Sequence, residues 1–219
     1  LPSNKDKLYS VITGDIIKSS RLPASKMKRL MNILRNSSKE IRTAFPNTIM
    51  SNIDTFRGDG WQVLIKKPEL SLRVALYYRA YIKSSMRIDK INTRMAISLG
   101  TVKSLPKRSG SDGIGEAYTL SGKASDEMGK TRLLFVSNIL PDDQNINLIF
   151  GFIDYLSAKW TSRQSSILML ALRGFTQTEI AKKLSIAQQT VSGQLDASGW
   201  YVIEKGLISY EGILKAYCR

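Results

Sequence analysis

Histidine is absent from this 219-residue chain, and cysteine occurs once, as Cys218. Without histidine there is no Ser-His-Asp triad, no Cys-His nucleophile pair and no His-ligated metal centre, so neither zinc nor haem is expected as a cofactor. One cysteine cannot close a disulfide within the chain. Metal chemistry is left with oxygen ligands, which suit magnesium, manganese or calcium. No run approaches the ~18 apolar residues that a membrane span requires, so no membrane partner is expected. The opening Leu1 to Lys7 has no apolar signal core, and a cytoplasmic location is the default expectation.

Apolar residues at 42% and charged residues at 23% describe a folded globular chain rather than a disordered one. Lys and Arg number 33 against 18 Asp and Glu, a formal charge of +15, which favours polyanionic partners such as nucleic acid or nucleotide phosphates. From Lys159 onward there are eight basic and four acidic residues, a net of +4; residues 1–158 hold 25 and 14, a net of +11. The basic excess is therefore not confined to the C-terminal part.

The six prolines all fall between periodic segments. Leu8 to Ile16 reads as a strand. Met27, Leu30, Met31, Leu34, Ile41 and Phe45 recur at helical steps, with Lys and Arg on the opposite face. Ile49 to Phe56 and Trp61 to Lys66 read as two strands joined through Arg57-Gly58-Asp59-Gly60, a hairpin signal. Pro68 opens a second helix through Ile82. Met95, Ile97 and Leu99 alternate as a strand. Lys103 to Gly113 reads as a loop, Gly115 to Met128 as a helix, Arg132 to Ser137 as a strand, and Ile149 to Trp160 as another helix. The order β-α-β-β-α-β, then α-β, then helices only, predicts an α+β sandwich of ferredoxin-like type with an all-helical appendix. The expected units are residues 1–158 and 159–219.

In the second unit, Ser162 is expected to cap a helix carrying Ile167, Leu168, Leu170, Ala171 and Leu172, closed by Gly174. Thr176 to Glu179 has the spacing of a capping box. Ile180, Ala181 and Leu184 give the next helix an apolar face, and Ile186, Val191 and Leu195 do so for the one after it. The segment resembles the helix-turn-helix of bacterial regulators, with Ser185 where glycine usually stands. The resemblance implies duplex DNA as partner, with Gln188, Gln189, Thr190 and Ser192 near base edges and Lys182 and Lys183 near the backbone. Gly199 to Arg219 is expected to supply a wing or a fourth helix.

In the first unit, Asp15 ends the first strand and Asp59 sits in the hairpin. In a β-α-β-β unit these places are neighbours, and two carboxylates there, with the backbone oxygen of Ile16, can share Mg2+ or Mn2+ and through it a nucleoside triphosphate. Ile17, Lys18, Ser19 and Ser20 precede the first helix and are the candidate phosphate cradle. The arrangement resembles the class III nucleotidyl cyclase domain: Phe56 to Ile65 looks like its GDG hairpin, Arg94 to Gly100 like the following strand, and Gly115 to Lys123 like its GxxVNxAAR segment. The chain as a whole looks closer still to the SatD family of bacterial proteins, which join a GDII start, a GD hairpin and an AISLG strand to a C-terminal helix-turn-helix. In the positions where cyclases carry catalytic Asn and Arg, this chain aligns Thr119 and Lys123. Lysine keeps the charge but lacks the planar fork.

Two functions follow. One is a DNA-binding regulator whose cyclase-like domain senses a nucleotide or metal, or serves to dimerise. The other is a divalent-metal-dependent cyclase or related triphosphate enzyme with a DNA-binding module. Thr119 and Lys123 favour the first, with little or no cyclase turnover. A homodimer is implied by the cyclase resemblance alone.

Overall fold

A computed structural model of the chain describes residues 7–56, 58–106, 112–141 and 143–218. Arg57 of the hairpin and residues 107–111 of the Ser/Gly/Lys-rich loop lie outside them. Among the described residues the fold is mixed α+β, with one five-stranded sheet and eight α-helices. The chain runs β1 (Leu8–Ile16), α1 (Ala24–Ala44), β2 (Asp54–Phe56), β3 (Gly60–Ile65), α2 (Ser71–Met86), β4 (Thr93–Thr101), α3 (Glu116–Glu127), β5 (Leu133–Ser137) and α4 (Gln144–Ser157). Four further helices follow: α5 (Ser162–Ala171), α6 (Gln177–Leu184), α7 (Gln188–Ala197) and α8 (Trp200–Tyr217). No described helix is long and apolar enough to cross a membrane.

The sheet order is β2-β3-β1-β4-β5. Every neighbouring pair is antiparallel except β4 and β5, which are parallel. β1 lies in the middle, so its residues are covered on both faces, and the run Leu-Tyr-Ser-Val-Ile-Thr reads as nearly continuous rather than alternating. Its even positions, Ile12 and Ile16, join Trp61, Val63, Met95 and Ile97 in the main core beneath α1 and α2. Its odd positions, Tyr9 and Val11, pack with Leu64, Ala117 and Tyr118 under α3. That second layer is partly polar. Thr13 Oγ1 and Ser121 Oγ lie 2.8 Å apart, Gln62 Nε2 donates to Thr13 Oγ1 at 2.7 Å, and Ser98 Oγ donates to the carbonyl of Ala117 at 2.6 Å. Gly14 has no substitute here, because a Cβ would meet the Arg94 carbonyl oxygen at 2.5 Å and the Trp61 ring at 2.7 Å.

Three local expectations are corrected. The strand expected over Ile49–Phe56 is confined to Asp54–Phe56, preceded by isolated bridges, among them Ile49 to Ile65. Side chains of α1 satisfy part of the intervening backbone: Ser38 Oγ accepts from Ile53 N at 2.7 Å, and Arg42 donates to the carbonyl of Ile49, while the amide of Met50 donates to the carbonyl of Leu64 at 3.0 Å. The cap of α5 is Thr161, in a capping box with Gln164, while the Ser162 amide and hydroxyl both donate to Asp89 at 2.7 Å. Trp160 sits past the end of α4, buried in the turn, and its indole N–H donates to the Ser198 carbonyl at 3.0 Å.

The turn at 158–161 ends a secondary-structure element, but the apolar core runs through it. α5 lies along α2, and α8 packs on α4 and on the start of α2. Ile167, Leu168, Ile203, Leu207 and Tyr210 belong to the same buried cluster as Val74, Phe135 and Phe150. Polar contacts cross the seam as well. Tyr210 Oη and Ser71 Oγ lie 2.7 Å apart, both fully buried, and Arg73 pairs with Glu211 at 2.7 Å. Arg79, itself inaccessible, donates to Asp154, Ser157, Thr93 and the carbonyl of Arg132, so each arm of its fork has a partner. Burial pulls its pKa down, and Asp154 pushes back.

Candidate functional site

Two places hold the residues singled out by sequence. At the first, Asp15, one residue before the end of β1, lies opposite Arg94 of β4. The pairing is bidentate: Arg94 Nε donates to Asp15 Oδ1 at 3.1 Å and Nη2 to Oδ2 at 2.6 Å. Asp59 reaches the same spot from the β2–β3 hairpin, where Gly58 takes a φ of +91° and turns the chain. Its Oδ2 accepts the amide of Ile16 at 3.2 Å. Asp59 is thus bonded to the residue that follows Asp15. The hydrogen bond to Asp15 raises the Arg94 pKa, with the charges of Asp15 and Asp59 adding to it.

For a divalent cation this donor set is an incomplete fit. Two carboxylates and the Ile16 carbonyl are oxygen donors of the right type, but both Asp15 oxygens are already bound by guanidinium, a positive charge where the cation would go. Among the described residues no three His, Cys, Asp or Glu gather as a metal-ligating group.

Of the other residues carried from the cyclase resemblance, Thr119 donates its hydroxyl to the carbonyl of Gly115 at 3.3 Å. Thr119 is exposed on α3 and lines a shallow cleft with Thr101, Glu116 and Asn138. Lys123 is exposed one turn further along α3, while Ser121 between them points into the sheet. Of the proposed phosphate cradle, Ile17 has spent its amide on the carbonyl of Asn92 at 2.9 Å. Lys18 has a φ of 58° and is exposed, Ser19 is half-buried and Ser20 exposed, leading into a short 3-10 turn before α1.

At the second place, α6 and α7 pack on each other and on α5. Thr176 and Glu179 make the capping box: Thr176 Oγ1 accepts from Glu179 N, and Glu179 Oε2 accepts from Thr176 N at 2.8 Å. Those bonds lower the Glu179 pKa. α6 ends at Ser185 with φ 53°, the left-handed conformation in which glycine is the usual residue. Ile180, Ala181, Val191 and Leu195 are buried between the helices. Outward from them, Lys182, Lys183, Gln188 and Gln189 are exposed, while Thr190 and Ser192 are half-buried. Lys183 rests over the Phe175 ring at 4.6 Å, with Arg173 on the same ring at 5.0 Å. α8 is a helix, so the alternative of a wing from Gly199 onward is not realised; it packs against α7 and runs back across the seam.

Sequence reasoning missed Arg94, which was read only as the first residue of a strand. Its signal was available, since a basic residue opposite Asp15 follows once β1 and β4 are paired. The register that pairs them is a tertiary fact. The chain matches the SatD family over residues 9–205. No curated protein matches it.

Proposed function

The chain belongs to the SatD family, and we propose from this and from the geometry above that it is a DNA-binding regulatory protein with a cyclase-like sensing domain. The observation that carries the reading is the first turn of α7. Gln188 and Gln189 stand in solvent at the N-terminus of a helix whose other side is locked onto α5 and α6, with Lys182 and Lys183 beside them. Short polar side chains at that end of the second helix, with cations flanking, are what major-groove readout requires. The order β2-β3-β1-β4, antiparallel throughout, with α1 and α2 on one face, supports a ferredoxin-like, cyclase-like sandwich for the first part.

Binding of full-length protein to a random duplex library, followed by selection and a salt series, tests this reading. Retention at low salt, with enrichment of a defined site, is the expected result. Absence of any duplex binding at about 50 mM salt, where phosphate contacts are least screened, refutes it. A two-fold reader requires a dimer. The exposed stripe Leu148, Phe152 and Tyr155 on α4 is the surface offered for one, and sedimentation of the wild type against Phe152→Glu tests it.

Asp15, Asp59 and the carbonyl of Ile16 would hold Mg2+ or Mn2+, which would supply charge to a bound triphosphate. Arg94 must first leave Asp15. That requirement favours a sensing role for the pair over turnover. Cyclisation needs positioned donors where charge develops on the phosphate, and Lys123, unlike arginine, offers no planar fork.

A further inference from the structure

Beside the carboxylate pair, at the end of the sheet, is a cleft of about 510 Å³ that neither the DNA-reading helices nor Asp15 and Asp59 use. Its walls are the β1–α1 loop (Ile17, Lys18, Arg21, Leu22), the α2–β4 loop (Ile88, Lys90, Ile91, Asn92) and Arg132 before β5. Four cations line it and no carboxylate does. Lys18, Arg21 and Lys90 make no ion pair among the described residues, and Arg132 spends only Nε, on Asp154 at 3.2 Å. The neighbouring Asp89 is turned away onto Ser162. Two walls are stitched together by the Ile17 amide on the Asn92 carbonyl, so the opening is built into the fold. Leu22, Ile88 and Ile91 supply an apolar side.

Four like charges around one opening repel one another, an arrangement that costs stability unless an anion fills it. The volume is that of a small-molecule site. We propose that this cleft binds an organic phosphate of nucleotide size, its phosphates among Lys18, Arg21, Lys90 and Arg132 and its organic part against Leu22, Ile88 and Ile91. The same loop carries the signal onward. Asp89 holds the start of α5 through Ser162, Lys83 Nζ donates to the carbonyls of Asp89 at 2.8 Å and Ala158 at 3.3 Å, and Asn92 Nδ2 donates to Ala158 O at 3.1 Å. A ligand that fixes Lys90 and Asn92 therefore acts on the root of the C-terminal helices. Only this second step rests on the regulatory reading.

The test is thermal-shift and calorimetric titration of the full chain with ATP and with pyrophosphate, in EDTA so that no divalent cation takes part. ATP is expected to raise the melting temperature progressively by mass action. Arg21→Glu and Lys90→Glu, both at exposed side chains, should each weaken ATP on the order of tenfold or more, as expected for charged hydrogen bonds. Lys205→Glu, an exposed reversal on α8, should leave it within about twofold. Four results overturn the site: no ATP-dependent shift, equal loss in Lys205→Glu, pyrophosphate as potent as ATP, or loss in Asp59→Asn with Arg21→Glu unaffected. DNA affinity with and without ATP reads the second step. ATP binding with unchanged DNA affinity refutes the link through Asp89, whereas a protein that binds no DNA leaves the ATP titration standing.

Discussion

Replacing Tyr210 with Phe removes one oxygen from the seam between the C-terminal helices and the sheet-bearing part. The phenol is fully buried, and burial pushes its pKa far above the ordinary value, so it stays neutral and within hydrogen-bond distance of Ser71 Oγ at 2.7 Å. No other partner of Ser71 Oγ is present among the described residues, so Tyr210→Phe leaves a buried hydroxyl unsatisfied. That costs about 1–3 kcal/mol. Ser71→Ala orphans the phenol at similar cost, whereas the double variant removes both groups and should recover most of the loss, a coupling of about 1–2 kcal/mol. At about 2 kcal/mol, a chain of this length should lose roughly 4–8 °C in melting temperature. Because one apolar cluster runs through the seam, calorimetry should show a single endotherm that moves as a whole. Residues 1–158 alone, with the α2 face stripped of α5 and α8, should aggregate. Two endotherms, of which Tyr210→Phe shifts only one, would refute the reasoning and make the C-terminal helices an independent domain.

Three further outcomes are expected. Lys182→Ala should weaken binding to all duplexes alike and reduce the salt slope by about one, while Gln189→Ala should blunt sequence preference at a cost of about 1–3 kcal/mol on the preferred site; identical losses on every sequence for Gln189→Ala would remove it from base readout. Burial pulls the Lys83 pKa from 10.5 down to about 8, so between those values the unfolded chain binds more protons and stability rises with pH, by on the order of 3 kcal/mol across the window; urea melts of wild type and Lys83→Met check it, and an equal rise in both would assign the effect elsewhere. Incubation with ATP or GTP and Mn2+ should yield no cyclic product above background, and Arg94→Ala should bind Mn2+ more tightly than wild type by freeing Asp15; product that vanishes in Asp15→Asn would overturn the non-catalytic reading.

Local chemistry was legible in the linear sequence wherever a short stretch carries its own reasons. Leu8–Ile16 is apolar and β-branched enough to be a strand in any context. Gly58-Asp59 demands a turn because of its positive φ, and Thr176 with Glu179 satisfies the first amides of α6 without outside help. The exposed polar row from Gln188 followed from the same helical period that buries Val191 and Leu195. Pairs distant along the chain were another matter. Arg94 neutralises Asp15 only because β1 and β4 are in antiparallel register, and a one-residue slip would turn it to the other face. Lys18, Arg21, Lys90 and Arg132 are up to 114 positions apart in the sequence, and only the packing of two loops against the start of β5 makes them one cleft. The seam was hidden for the same reason. Helical periodicity from Ser162 onward announces a new element equally well whether its apolar face closes on itself or on α2, and the burial of Tyr210 against Ser71 is what decides between them.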